Sequence, residues 1–426
     1  MNMNGGSCVS RFFSNTSVKR FFLITLVFLF ISNCSALDWG WVRLPSGLTW
    51  DEDETFDRNP VEGFQVQFPE ELGLDSRPLV ELSKKIRKEK TEVRSLLILK
   101  EGNLIFERYA GGISRNHNHN MYSVTKSVVS MLLGICYTND CGVNLEESLS
   151  SAESGLPGLL PSELKGKESI RLKDALRMSS GMGWDSFPRK EDIRTDIDPL
   201  AIAWIPSAST APGTKFEYSN GDTQLAAGYL EAKTGKTLYE YSKNTAFSWL
   251  GFKGEEWNTS KSGRQTAGFG LRLRPIDMAK IGQLYLDGGK WHGRQVLKPE
   301  WIALTLEPGV EKKYGLQFWL HEFEGKPSFM ANGKGGQFIY VIPHRKMVIV
   351  MTSAIWDKAP DLVLTSVLDS VKAAILSSDK LPSMEREEAL LRELKISHRT
   401  SLDPKLKEGA DETRIAAEPG MKQNHP

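Results

Sequence analysis

The chain has 426 residues, 40% of them hydrophobic, with 54 basic against 53 acidic side chains and a formal net charge of +1. That length and apolar fraction suffice for a large core and exclude wholesale disorder, while the balanced charge excludes a nucleic-acid surface. No repeat, coiled coil or cofactor fingerprint is evident, so no cofactor is expected.

In chain order, residues 11–36 read first as an export signal. Arg11, Lys19 and Arg20 precede the apolar run 21–31, which is too short to span a bilayer comfortably, and small residues end at Ala36. Cleavage near Ala36 implies a periplasmic or secreted protein. The alternative is lipidation at Cys34; a membrane contact is expected only through that lipid or an uncleaved signal. Losing the three basic residues of 1–36 would take the net charge from +1 to −2. Residues 37–68, rich in Trp, Pro and Asp without periodicity, read as an irregular lead-in.

The organised region is expected over 69–376. Helical spacing covers 79–90, and strands over 95–99 and 104–109 flank Lys100-Glu-Gly-Asn103, a hairpin signal. His117 and His119 lie in Asn116-His-Asn-His-Asn120 with no carboxylate or cysteine at ligand spacing, so the segment reads as a polar loop and no metal site is expected. From Ser123 onward, Val124, Val128, Met131, Leu132 and Ile135 recur at helical spacing, which puts Ser123 and Lys126 on one face a turn apart. Cys136 and Cys141 bracket a turn, as a disulfide or as two thiols.

The middle, about 140–310, reads as a helical subdomain with helices over 172–178, 222–233 and 276–286. Pro275 and Asp277 start the third, and Gly235 and Gly288-Gly289 stop the second and third. The period then changes to strands over 315–323, 337–342 and 346–352, followed by a closing helix over 359–376. Strands at both ends around a helical middle predict an α+β protein: an antiparallel sheet built from N- and C-terminal segments, flanked by helices. Residues 377–426 read as a charged, largely disordered tail.

Ser-x-x-Lys occurs at Ser123, Ser162 and Ser377, but only Ser123 opens an apolar helical run. It is followed by Tyr218-Ser-Asn220 and Lys334-Gly-Gly336. A serine hydroxyl needs a base within reach, and Lys126 or Tyr218, each with a lowered pKa beside other positive charge, could supply it. The Ser123 and Gln337 amides could hold an oxyanion, with Gly335 and Gly336 letting substrate lie close. Bland readings stand beside these: Ser123 as a helix cap, Lys126 as a solvated lysine, Tyr218 as packing, Asn220 or Asp222 as a cap, and Lys334 as part of a hairpin turn after Asn332-Gly333.

Order, separation and flanking structure agree jointly. On Met121-Tyr-Ser-Val-Thr-Lys-Ser127, Pro212-Gly-Thr-Lys-Phe-Glu-Tyr-Ser-Asn220, Leu284-Tyr-Leu-Asp-Gly-Gly289 and Gly333-Lys-Gly-Gly-Gln337, the chain resembles the serine β-lactamase and penicillin-binding-protein superfamily. It is most like its class C-like hydrolases of the 6-aminohexanoate-dimer hydrolase or esterase type, over about residues 69–376. The resemblance implies acyl-enzyme hydrolysis of a small amide or ester: Ser123 attacks, Lys126 and Tyr218 move protons, and Asn220 and Lys334 orient substrate. It also places Trp184 in the pocket lining. Gly335 departs from the pattern, lacking the hydroxyl that helps bind a substrate carboxylate, so slow turnover of carboxylate-bearing antibiotics is expected. A β-lactamase or D-alanyl carboxypeptidase, and a non-catalytic ligand-binding or sensor domain, are the alternatives.

Overall fold

The computed structural model describes residues 42–43, 59–151, 164–183, 198–356, 359–375 and 384–399. The export signal, Trp184 and residues 400–426 lie outside them. In chain order the elements that position the site are β1 (Val42–Arg43), β2 (Gln65–Val66), α1 (Arg77–Lys88), β3 (Val93–Lys100), β4 (Asn103–Tyr109), β5 (Asn118–Asn120) and α2 (Val124–Thr138). Then come α3 (Asn220–Thr234), β6 (Glu256–Trp257), β7 (Leu271–Leu273) and α4 (Pro275–Leu286). The chain continues with β8 (Trp319–Phe323), β9 (Lys326–Gly333), β10 (Gln337–Ile342), β11 (Met347–Ser353), α5 (Pro360–Ala374) and α6 (Met384–Arg399).

The fold is α+β. Its main sheet has seven strands in the order β8-β9-β10-β11-β3-β4-β2, antiparallel except for the β2–β4 pair. The C-terminal strand β11 pairs with the N-terminal β3, Val350 opposite Leu97, so distant chain segments share one sheet. Both are buried along their length, as expected where helices cover the two faces of a sheet. A second sheet runs β1-β5-β7-β6.

Several expectations need correction. The lead-in is not wholly irregular, because β1 pairs with β5 and β2 with β4, and Glu62 joins a buried ionic cluster with Arg274, Asp277 and Lys280. Of the segment around His117 and His119, Asn118–Asn120 are not a loop but strand β5, with His119 buried and its pKa driven well down by that burial, while His117 precedes the strand. Helix α4 belongs to the sheet rather than to a helical insert, and a Cβ on its Gly282 would strike Val348 of β11. Strand β9 carries Pro327 near its start, where a missing N–H costs least, and was not visible from periodicity. The tail is not disordered throughout, because α6 is a helix that buries Leu390 and Leu394.

Helix α2 is the centre of the molecule. Residues Val124 through Cys136 are all buried, so no face of this helix is left for solvent. Cys136 and Cys141 are joined as a disulfide just beyond it, their Cα atoms 5.2 Å apart.

Candidate active site

The site begins with a bent backbone. Tyr122 has φ +45°, a left-handed conformation that is costly for a bulky residue, and its N–H donates to Asn120 Oδ1 at 3.0 Å. Ser123 follows at the cap position of α2, yet its side chain makes no cap hydrogen bond. Its hydroxyl lies instead 3.2 Å from Lys126 Nζ, with the Tyr218 side chain close enough to favour the phenolate slightly. That removes the simple capping explanation for Ser123.

Lys126 is 1% exposed, which rules out a solvated surface lysine. Its Nζ has three oxygen neighbours: Ser123 Oγ at 3.2 Å, Asn220 Oδ1 at 2.5 Å and the Gly268 carbonyl at 2.7 Å. Burial lowers its pKa to about 7, so the neutral amine is accessible near physiological pH. A neutral amine has two N–H groups and one lone pair. With the N–H groups committed to Asn220 and Gly268, the lone pair faces the Ser123 hydroxyl. Gly268 was not anticipated from sequence, and no local motif marks it; a Cβ there would sit 2.5 Å from Asn220 Oδ1.

Tyr218 corrects an expectation. Burial pushes its hydroxyl up to about 12, and the neighbouring Ser123 only partly offsets this, so the surroundings favour the neutral phenol and not the lowered pKa expected from sequence. The residue as a whole is 38% exposed, but its hydroxyl end lies beside Ser123 in the buried part of the site, and those surroundings set its proton affinity. Lys126 Nζ lies 5.0 Å from the ring centroid. The ring stacks on Trp319 at 5.7 Å and meets Tyr314 edge-on at 6.0 Å.

Asn220 opens α3, but Ser219 is its cap, the Ser219 hydroxyl accepting from the Asp222 N–H at 3.2 Å. Asn220 is thereby free to hold Lys126, and its buried Nδ2 has no hydrogen-bond partner among the described residues. Asp222 is buried too, accepts from Ser180 Oγ at 2.6 Å and has its pKa raised to about 7 by burial.

The turn 334–336 joins β9 to β10 beside this group, since a Cβ on Gly333 would strike the Met121 carbonyl. Lys334 is exposed; its carbonyl accepts from Gln337 Nε2 at 3.3 Å, but its ammonium makes no hydrogen bond or ion pair with the described residues, so it supplies no second buried ammonium. Gly336 has φ +91°, and a Cβ there would strike Ser353 Oγ; the protein's own packing therefore requires this glycine. The Gln337 side chain donates to the Ser353 carbonyl at 2.6 Å, which fixes the start of β10 and its backbone amide.

The structure thus brings Ser123, Lys126, Tyr218 and Asn220 together, and leaves Lys334 at the rim. Residues 85–370 match the family model described as Beta-lactamase. A 6-aminohexanoate-dimer hydrolase of Paenarthrobacter ureafaciens is 22% identical over 298 residues, 63% of this chain and 74% of that protein. Among solved structures, a family VIII carboxylesterase superposes with TM-score 0.58 at 15% identity, covering 72% of this chain and 98% of that one. A penicillin-binding-protein homologue from Pyrococcus abyssi superposes with TM-score 0.54 at 18% identity, covering 74% and 80%. With more than half of its residues matched and the fold shared, the chain belongs to the Beta-lactamase family of hydrolases.

Proposed function

We propose that the protein is an exported serine hydrolase that cleaves small amides or esters through an acyl-serine intermediate. The observation that carries this reading is the Lys126 cradle: two N–H groups held by Asn220 and Gly268, and Ser123 Oγ at 3.2 Å on the remaining side. Lys126 takes the hydroxyl proton as Ser123 Oγ bonds to the substrate carbonyl carbon. The oxyanion is received by the Ser123 and Gln337 amides, with the α2 N-terminus favouring the charge. The Tyr218 hydroxyl then donates to the departing amine or alkoxide and regains a proton from the Lys126 ammonium. Water releases the acyl group by the same route in reverse. The unpaired Asn220 Nδ2 supports a role for this side chain in donating to substrate. Export rests on the run 21–31 and the small residues ending at Ala36, and a mature chain beginning shortly after Ala36 is its readout.

A panel of p-nitrophenyl esters, a linear amide dimer and a chromogenic cephalosporin tests the activity. Hydrolysis of esters or the amide, lost in Ser123→Ala, and slow or no cephalosporin turnover are expected. Unchanged hydrolysis by Ser123→Ala would remove the proposal, and rapid cephalosporin turnover would favour a β-lactamase instead.

A further inference from the structure

The turn 334–336 carries an aromatic wall that the motif does not foretell. Gly335 has φ +77°, and a Cβ there would sit 2.8 Å from the Trp356 ring, so the indole lies directly against the Gly335 backbone. The same ring meets Tyr122 edge-on, centroids 5.7 Å apart at 76°. Tyr122 is the residue before the nucleophile. The Ile355 N–H donates to the Gly335 carbonyl at 3.0 Å, and Ser353 Oγ donates to the Gly335 and Gly336 carbonyls at 2.6 and 2.8 Å. The segment leading into Trp356 is therefore fastened to the turn.

We propose that Trp356 is a specificity-determining residue: with Tyr122 it forms a wall over the turn 334–336 that accepts an uncharged, apolar part of an ester or amide and disfavours a carboxylate. This rests on the acyl-serine reading above. Covering apolar substrate against such rings gains about 25 cal/mol per Å². A carboxylate in the same place meets ring faces of negative quadrupole and loses hydration without a matching set of donors. A hydroxyl-bearing side chain at position 335, which could supply a donor, is excluded both by the indole and by the backbone conformation. Lys334 is exposed, where an ion pair is screened and weak.

The test uses the full chain and two matched substrate pairs. One pair places the charge on the acyl side: p-nitrophenyl hexanoate against the p-nitrophenyl monoester of adipic acid. The other places it on the leaving group: phenyl hexanoate against para-carboxyphenyl hexanoate. Trp356→Ala is expected to lower the neutral-over-carboxylate ratio of kcat/KM by about tenfold in one pair, with Trp356→Phe staying within about threefold of wild type. Ser123 phosphonylation by a fluorophosphonate serves as the folding check, and Trp356→Leu replaces the alanine variant if that variant fails it. An unchanged ratio in both pairs, in a variant that still labels at Ser123, overturns the inference. Absence of labelling in the wild type would instead overturn the acyl-serine reading on which it rests.

Discussion

Ser123, Lys126 and Tyr218 sit in one cluster, yet burial moves the two titrating partners in opposite directions. Lys126 is lowered to about 7 and Tyr218 raised to about 12, the separation that the proposed mechanism uses to divide base from donor. In the proposed mechanism the neutral amine is the active form, so kcat/KM should rise with pH through about 7 and level off above it. Lys126→Arg, which cannot deprotonate, should cost about 10²- to 10⁴-fold and abolish that limb. Tyr218→Phe should lower kcat by a similar factor, about 10²- to 10⁴-fold, while keeping the limb, because Lys126 remains. A limb that survives Lys126→Arg would contradict the assignment. Asp222 titrates in the same range for a different reason: burial raises it, and Glu217 and Asp174 add to the shift. A carboxyl raised in the folded state destabilises the fold once it ionises. That penalty is absent below the ordinary carboxylate range and complete above about 7. Asp222→Asn, which can still accept from Ser180, should therefore raise Tm at pH 8 and lose that advantage near pH 4. An equal effect at both pH values would show that ionisation is not the cause.

At the level of elements, α6 shows best where sequence patterns stop. Its sequence is mostly charged, and its apolar stripe is narrow, so it reads as solvated chain. Alongside the buried Leu390 and Leu394, what docks it on α1 is a buried polar group. Glu393 accepts from Ser83 Oγ at 3.0 Å and from the Arg87 guanidinium at 2.9 Å; Ser397 Oγ lies 2.9 Å from Ser83 Oγ, and Arg108 of β4 donates to Ser83 at 3.0 Å. Hydrophobic periodicity carries no trace of such a network. Glu393→Ala leaves Arg108 buried without its nearest carboxylate, which should destabilise the fold by about 3 kcal/mol in denaturant unfolding. A change below about 0.5 kcal/mol, the range of a surface substitution, would show that α6 is not an integral part of the fold. Helices α1, α2, α3 and α4, by contrast, were legible to within a few residues, because proline starts, glycine stops and regular apolar spacing act locally.

For the whole molecule, the α+β class and the meeting of N- and C-terminal strands followed from the change of period along the chain. The grouping of Ser123, Lys126 and Tyr218 came instead from short, ordered motifs and the resemblance they carry. The parts that stayed hidden are those made by tertiary contact alone. Gly268 contributes only a carbonyl to Lys126, and Trp356 reaches the turn 334–336 from the loop after β11. Gln317, in left-handed backbone at φ +65°, accepts from Ser127 and Thr223 and donates to the Leu176 carbonyl, tying α2 to α3 behind the site. No spacing rule reports such contacts. The same tertiary closure buries Lys126, and on that burial the chemistry depends. The most direct test is peptide-mapped mass spectrometry after brief exposure to a fluorophosphonate across a pH series. A single adduct on Ser123, forming faster as pH rises through about 7 and absent from Ser123→Ala, is the expected result. An adduct on another residue, or labelling that Ser123→Ala leaves unchanged, would contradict the account.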